Sequence, residues 1–406
     1  MVVLAINNEP ISSSSNTQSE VLAIPLTQEP DYLVLDSSKW LPVIKEFKHL
    51  IEDHEDIYRG FTVMFQQASA VAGISNVRNY KEMLQKINDE IQRAPRYDRS
   101  EFVTCSIYRI LDKVMCTPTG LATLANPLVN AQFKKIIDVW AAFLSSSESR
   151  SVLTSDEGGW FSPIARADMP AFFDTYVSDQ DADYGGFKSW DDYFTRQLRP
   201  GVRPVEFRDD NTVINSACES TVYWISSGIK EQDYFWLKGQ PYSLRDIFHD
   251  DPFTNRFVGG TILQCFLSAV TYHRWHSPVN GRVVKTRIIP GIHFSQSPQS
   301  PNSSQTDPIT SQRFLVSVST RALVFIDSDN PHIGLMCFIA VGMIDASTCD
   351  IRVNPGDRLT KGQEMGMFHF GVSTYCMLFR PSVKVSFNCN TGDLVLVNTA
   401  IASVSF

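Results

Sequence analysis

The spacing of apolar residues changes near residue 200, and this change limits the folds that the chain can adopt. Before it, apolar residues recur every three or four positions, which is typical of amphipathic helices. After it, short runs rich in Val, Ile and Phe alternate with turns containing Gly, Pro and Asn, which is typical of strands. The sequence therefore predicts an α+β protein, with a helical N-terminal domain followed by a β-rich domain.

The same pattern predicts three segments along the chain. Residues 1–30 contain the polar run SSSSNTQSE and are expected to form a disordered tail. The helical domain is expected over 31–185 and the β-rich domain over 186–406, with LRPGVRPVEF close to the junction. Inside the β-rich domain, the insert at 295–312 is too rich in Pro, Ser and Gln to pack, and we expect a lid over a substrate pocket there.

Four helices are predicted in the first half. Pro42 suits the start of the first helix, because proline lacks a backbone N–H and the N–H groups of a first helical turn have no acceptor within the helix. Asp98 or Ser100 is the expected N-cap of the third helix. The four predicted helices cover approximately 38–65, 80–91, 100–115 and 133–144.

Composition and charge exclude several classes of protein. The net charge of −8 gives no electrostatic attraction to nucleic acid and no basic patch for an anionic membrane. The longest apolar run, at 333–344, is shorter than the roughly 20 residues that span a bilayer. The start of the chain lacks a signal-peptide pattern, and the eight Cys include no CxxC pair. We expect a cytoplasmic protein with free thiols, bound stably to neither a membrane nor nucleic acid.

Two histidines lie three residues apart in TYHRWHSPVNG. His273 and His276 would face opposite sides of a regular strand, whereas a bend would let both reach one pocket. They fit a catalytic pair and two structural histidines equally well. A metal site would need a further ligand, and no other His or Cys pair has a suitable spacing, so none is predicted.

A carboxylate and a serine complete the possible chemistry. Glu219 lies among small residues in INSACES, where it suits a turn as well as a carboxylate that orients an imidazole. Ser373 lies in FHFGVST, where it suits the edge of a strand or a hairpin as well as a nucleophile. The chain order Glu–His–Ser is compatible with a base-assisted serine, but the G-x-S-x-G elbow of the α/β-hydrolases is missing.

Four segments together resemble one family, the pyruvoyl-dependent phosphatidylserine decarboxylases. YHRWHSPVNG is similar to the family pattern H-R-x-H-x-P-x-x-G, and FHFGVST is similar to its later F-G-G-S-[ST] or L-G-S-T pattern. GFKSWDDYFTRQLRPGVRP resembles a third family segment, and INSACES occupies the place of S-P-x-D-G. The resemblance covers approximately residues 186–406, and the order and spacing of the four segments make it specific.

The helical half adds a resemblance to one branch of that family. RNYKEMLQKINDEIQRAPRY and NAQFKKIIDVWAAFLSSSESR resemble a soluble fungal branch whose members decarboxylate L-tryptophan and related aromatic amino acids. KGQPYSL, DPFTNRF and STCD in the β-rich half resemble the same branch. The resemblance implies an amino-acid substrate and secondary metabolism. The sequence leaves the oligomeric state open, with a homo-oligomer as one alternative.

The resemblance also implies roles for individual residues. The bond between Val372 and Ser373 would be cut by the chain itself, and Ser373 would become the covalent pyruvoyl group. His276 would be the base for this cleavage, oriented by Glu219, and His273 would act in the decarboxylation. The pyruvoyl ketone would form a Schiff base with the substrate amine and withdraw electrons from the bond to the carboxylate, so that no separate cofactor or metal is needed.

Two residues depart from the family pattern. Glu219 replaces the usual Asp and keeps the carboxylate. Val372 replaces the usual Gly, and a β-branched residue resists backbone angles that Gly accepts. Two alternatives therefore stay open: a phosphatidylserine decarboxylase, and an uncleaved relative that binds a ligand without catalysis.

Overall fold

The structure is a computed structural model that describes residues 37–72, 77–100, 103–232, 242–296, 311–343, 345 and 348–405. The predicted tail at 1–30 lies outside the described residues, and so does most of the predicted lid at 295–312. The described residues confirm the α+β fold class, because helices dominate the first half and antiparallel strands the second. They form one compact unit, and the boundary at 185/186 stays a prediction.

Helices of four residues or more occur mainly in the first half. In chain order they are α1 (Pro42–Asp53), α2 (Glu55–Ala72), α3 (Tyr80–Glu90), α4 (Ser106–Met115), α5 (Pro118–Leu124), α6 (Pro127–Leu144), α7 (Pro163–Asp168), α8 (Phe172–Thr175), α9 (Trp190–Phe194), α10 (Leu244–Phe248) and α11 (Gln312–Val318). Four short 3₁₀ helices cover Ser37–Lys39, Ser147–Val152, Asp183–Gly186 and Thr254–Arg256. None of the described helices combines the length and the apolar character that crossing a bilayer requires.

The first predicted helix is two helices in the structure. Pro42 occupies the first turn of α1, as predicted. The helix ends at Asp53, and the next residue, His54, has an extended backbone (φ −123°, ψ 108°). Glu55 and Asp56 then start α2, where negative charge is favourable beside the positive end of the helix dipole. The apolar spacing continues across His54, which is why the pattern alone did not reveal the break.

The third helix begins later than predicted, and its start is capped from the second half of the chain. Cys105 precedes α4 and makes no side-chain cap. The carboxylate of Asp345 accepts hydrogen bonds from the backbone N–H groups of Ile107 (2.9 Å) and Tyr108 (3.1 Å) instead. The expected cap, Asp98, accepts a bond from the Ser100 N–H outside the helix. A cap from a residue so distant in sequence leaves no local pattern.

The strands of the second half form three antiparallel sheets. In chain order they are β1 (Val213–Asn215), β2 (Ser220–Ser227), β3 (Thr261–Leu267), β4 (Arg274–His276), β5 (Gly281–Ile289), β6 (Arg321–Ser328), β7 (Leu335–Gly342), β8 (Thr348–Ile351), β9 (Arg358–Leu359), β10 (Glu364–His369), β11 (Ser373–Phe379), β12 (Val385–Phe387), β13 (Leu394–Val395) and β14 (Ala400–Val404). The large sheet has the order β13-β2-β3-β11-β7-β6-β5-β9, and the small sheets have the orders β4-β10-β8 and β1-β14-β12.

The large sheet places β11 between β3 and β7. All seven residues of β11 are buried. Ser373 is paired with Leu267 of β3 on one side and with Gly342 of β7 on the other. The interpretation of Ser373 as a polar residue at a strand edge is therefore wrong, since the residue begins an interior strand of the sheet.

The helical half packs against the segment that follows β5. The Phe133 ring of α6 lies 4.8 Å from the Phe294 ring, between ring centres. Asn130 of the same helix donates to the Gly291 carbonyl (3.0 Å) and accepts from the His293 N–H (3.0 Å). Together with the Asp345 cap, these contacts fix α4 and α6 to the second half of the chain.

Candidate active site

Ser373 lies at the start of β11 without access to solvent. Its hydroxyl oxygen has no hydrogen-bond partner. Buried polar atoms are nearly always paired, and an unpaired one costs about 1–3 kcal/mol. The fold therefore carries a destabilising feature at the residue that the sequence analysis singled out.

The segment that leads into Ser373 holds unusual backbone angles. Phe370 has a φ of +65° and Gly371 a φ of +156°, whereas Val372 is not among the residues with positive φ. A left-handed conformation is costly for Phe and acceptable for Gly. The angles that only glycine tolerates well thus lie before residue 372, so the backbone here does not require Gly at that position. Burial raises the pKa of the Cys105 thiol, and the sulfur accepts a hydrogen bond from the Val372 N–H.

His273 immediately precedes β4 and is fully buried. Its ring stacks on Phe194 at 4.1 Å between centres, and Nδ1 lies 3.0 Å from the Thr271 carbonyl oxygen. Nδ1 therefore carries the proton, and Nε2 is left with a lone pair and no partner. Burial, together with the nearby positive charge of Arg196, lowers the pKa of His273 to about 3. The imidazole is neutral at physiological pH.

Arg196 holds the loop that carries His273. It is 2% exposed, and it donates from one guanidinium nitrogen to the carbonyls of Val270 (2.6 Å) and Thr271 (2.8 Å). The guanidinium also lies over the ring of Tyr176, 4.3 Å from its centre. Carbonyl oxygens and aromatic faces compensate this buried guanidinium, for which the described part of the chain offers no carboxylate partner. Arg196 thereby fixes the loop at the point where it turns toward His273.

His276 at the end of β4 has both ring nitrogens occupied. Nδ1 donates to the Gly362 carbonyl (2.7 Å), and Nε2 accepts from the Tyr272 hydroxyl (2.9 Å). Burial lowers the pKa of His276, and the bond to Gly362 opposes this shift. His276 is thus a neutral imidazole whose Nε2 lone pair is bonded to a tyrosine hydroxyl rather than to Ser373.

Glu219 lies in the turn before β2, with little exposure. Arg203 donates to its Oε1 (2.5 Å), and Tyr176 donates to its Oε2 in a longer bond (3.4 Å). The backbone N–H of His276 donates to Ala217 (2.8 Å), which brings this turn against β4. The carboxylate itself makes no hydrogen bond to the His276 ring. The contact that the family resemblance implies is therefore not formed in this structure.

The sheets bring the four predicted residues into one region. Phe368 of β10 donates its N–H to the His273 carbonyl (3.0 Å), five residues before Ser373. In the large sheet Leu267 is the partner of Ser373, and the pairing of Thr221 with Phe266 puts Ser220 beside Leu267. Ser220, Leu267 and Ser373 thus lie side by side on β2, β3 and β11. Glu219 precedes Ser220, and two strand spacings, about 10 Å, separate Ser220 from Ser373. The four residues lie in one region of the fold without forming a hydrogen-bonded triad.

The sequence analysis missed four residues that support this region. Arg196 and Arg203 lie inside GFKSWDDYFTRQLRPGVRP, so the segment itself was a usable signal. Tyr272 adjoins His273, but its contact with His276 depends on the bend between them.

His369, the fourth of these residues, bonds Asp191 through Nδ1 (2.8 Å). Burial alone would lower the pKa of His369, but Asp191 and Asp350 outweigh burial and raise it. No group of His, Cys, Asp and Glu among the described side chains could hold a metal ion.

Comparisons with known proteins agree with these motifs. A phosphatidylserine decarboxylase family model matches residues 190–403, and a second phosphatidylserine decarboxylase model matches residues 41–169. The decarboxylase iboD of Amanita muscaria is 42% identical over 307 residues, which cover 71% of this chain and 88% of the relative. The L-tryptophan decarboxylase of Psilocybe cubensis is 35% identical over 386 residues, covering 89% of this chain and 86% of the relative.

A more distant relative matches approximately half of the chain. Phosphatidylserine decarboxylase proenzyme 3 of Schizosaccharomyces pombe is 31% identical over 212 residues, which cover 52% of this chain and 21% of the relative. The relatives that match most of the chain therefore share both the helical half and the sheets. The motifs around His273 and Ser373, the two family models and these relatives show that the chain belongs to the phosphatidylserine decarboxylase family and is a carboxy-lyase.

Proposed function

We propose that this protein is a pyruvoyl-dependent decarboxylase of an aromatic L-amino acid, with L-tryptophan as the first candidate substrate. The observation that carries the proposal is the buried, unpaired hydroxyl of Ser373, which begins an interior strand directly after a strained turn. A hydroxyl without a partner is available to attack the neighbouring Val372 carbonyl.

The residues present fit a pyruvoyl group at position 373. Ser373 is the residue from which such a group is made, and the buried Nε2 of His273 also lacks a partner. Several buried polar atoms of the described residues lack a partner, and Ser373 Oγ and His273 Nε2 are the two that the proposed chemistry uses. The pyruvoyl group supplies an electron sink that allows the bond between the α-carbon and the carboxylate to break.

Self-cleavage would begin when the Ser373 oxygen attacks the Val372 carbonyl carbon and the peptide C–N bond gives way to an ester. Loss of the Cα proton of residue 373 and breaking of its Cβ–O bond then release the carboxylate of Val372 and leave a dehydroalanine. After this tautomerises to an imine, water hydrolyses it to the ketone and ammonia. His276 is the proposed base for these proton transfers. Its Nε2 lone pair is the acceptor, and the Tyr272 hydroxyl must first move away from it.

His273 has a different proposed task in the decarboxylation. Its Nδ1–H is held by the Thr271 carbonyl, so any proton that it moves must pass through Nε2. A neutral ring can take a proton at Nε2 from the substrate's ammonium group and return one to the α-carbon after carbon dioxide leaves. Arg196 would keep the ring in place through the loop carbonyls.

The substrate class is supported by the relatives rather than by the fold. Two relatives named L-tryptophan decarboxylase, from Psilocybe cubensis and Psilocybe cyanescens, are each 35% identical and cover 89% and 90% of this chain. The phosphatidylserine decarboxylases cover approximately half of it. An aromatic amino acid is therefore the better supported substrate.

The intact mass of the freshly purified protein, measured under denaturing conditions, tests the proposal. We expect two chains, 1–372 and 373–406, the smaller one lighter by one ammonia than its unmodified sequence. Ser373→Ala should stay a single chain without activity, whereas Ser403→Ala, at an exposed position of β14, should behave as the wild type. The cleaved protein should release carbon dioxide from L-tryptophan.

Three outcomes would contradict the proposal in different ways. An uncleaved, inactive wild type would favour the non-catalytic relative, and the gain of cleavage in Val372→Gly would assign the defect to that residue. Activity on phosphatidylserine vesicles in the absence of activity on amino acids would favour the lipid substrate. Cleavage that persists in Ser373→Ala would show that the chain is cut at a bond other than Val372–Ser373.

A further inference from the structure

A cavity of about 810 Å³ lies beside the strand that begins with Ser373. Phe266 and Ser268 line it. These two residues flank Leu267, the β3 partner of Ser373. The cavity wall therefore includes the residues on either side of the one that pairs with Ser373 on the neighbouring strand.

The register of the sheet shows which atoms of residue 373 the cavity can reach. Phe266 is paired with Thr374 on one side and with Thr221 on the other, and side chains of directly paired residues share a face. The Ser373 side chain belongs to the opposite face, because neighbouring residues of a strand alternate. The Cα of Ser373 lies in the plane of the sheet, and this carbon becomes the reactive ketone of a pyruvoyl group. An amine can approach it from the cavity face once Val372 is no longer attached.

The part of the cavity near β2 and β3 is apolar and aromatic. Phe266 and Trp224 lie on this wall, and the Arg313 guanidinium lies 4.0 Å from the centre of the Trp224 ring. Ala269 and Val270 add aliphatic surface. A flat ring packs favourably against such a wall, both by burying apolar area and by ring–ring contact.

The opposite side of the cavity is polar and comes from the helical half of the chain. Tyr97 donates to Asp168 (2.7 Å), and Arg99 donates to the same carboxylate (2.9 Å). Both donors and Asp168 line the cavity. One apolar wall and a few fixed polar groups, in a volume within the range of about 300–1,000 Å³, are typical of a small-molecule site.

We propose that this cavity binds the side chain of the amino-acid substrate, with the aromatic ring against Phe266 and Trp224 and the α-amine toward residue 373. The inference rests on the proposed function and adds the residues that select an aromatic side chain. The helical half contributes the facing wall, which gives it a part in substrate recognition besides its structural role.

Indole is the probe that separates binding in the cavity from the reaction, because it has the ring but neither amine nor carboxylate. We expect indole to inhibit the turnover of L-tryptophan competitively. We also expect it to bind uncleaved Ser373→Ala protein in a calorimetric titration, since the cavity exists before cleavage. Trp224→Ala should weaken the binding of indole about tenfold and raise the KM for L-tryptophan by a similar factor.

Two further variants complete the test. Phe266→Leu keeps an apolar side chain but removes the ring, and it should also weaken indole binding in a protein that folds and cleaves itself. Phe207→Ala removes an aromatic residue that is 61% exposed and does not line the cavity, so indole binding should not change. Unchanged indole affinity and KM in both Trp224→Ala and Phe266→Leu would overturn the inference. An uncleaved wild type that still binds indole through Trp224 would contradict the proposed function while supporting the cavity.

Discussion

The helical half and the sheets are stabilised by different kinds of contact. In the helices, buried apolar residues such as Phe47 and Phe61 meet face to edge, and surface pairs such as Lys48–Glu52 follow the i,i+4 spacing. Around Ser373, buried charged groups are paired over larger sequence distances, as in Arg203–Glu219. The helices thus follow patterns that are visible locally, whereas the candidate site depends on contacts that only the assembled fold creates.

The two regions also differ in how completely their polar atoms are satisfied. In the first half of the chain, Trp140 and Trp160 donate their ring N–H groups to backbone carbonyls. Near the candidate site, Ser373 Oγ, His273 Nε2 and Trp275 Nε1 are buried without partners. Such atoms lower stability, and Ser373 Oγ and His273 Nε2 are the two that the proposed chemistry uses. The comparison predicts that mutations in the helices affect mainly stability, whereas mutations near Ser373 affect cleavage as well.

The largest effect on stability is expected from Phe47→Ala. Phe47 is fully buried between the rings of Phe61 (5.7 Å) and Phe133 (5.0 Å), so truncation should lower the free energy of unfolding by about 3–5 kcal/mol. Urea unfolding in a Ser373→Ala background, which should keep one chain, measures this loss. Leu128→Ala, at a half-exposed position, is the control and should cost less than about 0.5 kcal/mol. Loss of self-cleavage in a folded protein that carries Phe47→Ala would contradict the expectation that mutations in the helices affect mainly stability.

Arg203→Ala should cost somewhat less stability but should also impair cleavage. It leaves the carboxylate of Glu219 buried without its cation, which should cost about 3 kcal/mol. We expect self-cleavage to slow at least about tenfold, because the turn that carries Glu219 also contacts His276. A time course of intact mass measures this rate. Arg59→Ala removes an exposed i,i+4 pair and should leave the rate unchanged. Normal cleavage in Arg203→Ala would show that Glu219 needs no charge partner for this step.

A smaller effect is expected where the sheet region caps a helix. Asp345→Ala leaves the N–H groups of Ile107 and Tyr108 without their acceptor and should cost about 1–3 kcal/mol. Asp345→Asn keeps one acceptor oxygen and should cost less. Amide hydrogen exchange should speed up at the start of α4 in the Ala variant. Equal exchange in Ala, Asn and wild-type protein would mean that α4 does not depend on this long-range contact.

The smallest effect is a dependence of stability on pH at His369. The folded state raises the pKa of His369 through Asp191 and Asp350, so the stabilisation is full below the ordinary value of 6.5 and is lost as the pH rises through the folded pKa. His369→Gln should therefore lose about 1 kcal/mol at pH 5.5 and less at pH 9. Unfolding free energies of wild type and variant at both pH values test the sign. His54→Gln, at an exposed position, should show no such difference. A larger loss at pH 9 would mean that His369 acts as a neutral group.

Particular residues show how far the sequence could lead. Pro42 and the apolar spacing located the first helix, because both act within one or two turns. The break at His54 was missed because a single extended residue does not disturb that spacing. The motifs around His273 and Ser373 pointed to the family, but they contain no information about what each side chain touches. The pairing of Glu219 with Arg203, rather than with His276, therefore came only from the folded chain.

The sequence by itself determined the α+β class, the family resemblance and the residues worth testing, because these follow from local spacing and from short motifs. The tertiary structure decided that Ser373 begins an interior strand, that the left-handed angles fall on Phe370 and Gly371, and that His273 keeps a free lone pair. The physical reason is that burial and hydrogen-bond partners are set by strands and helices distant in sequence. Whether the Ser373 hydroxyl has a hydrogen-bond partner therefore depends on the side chains that the folded chain places around it.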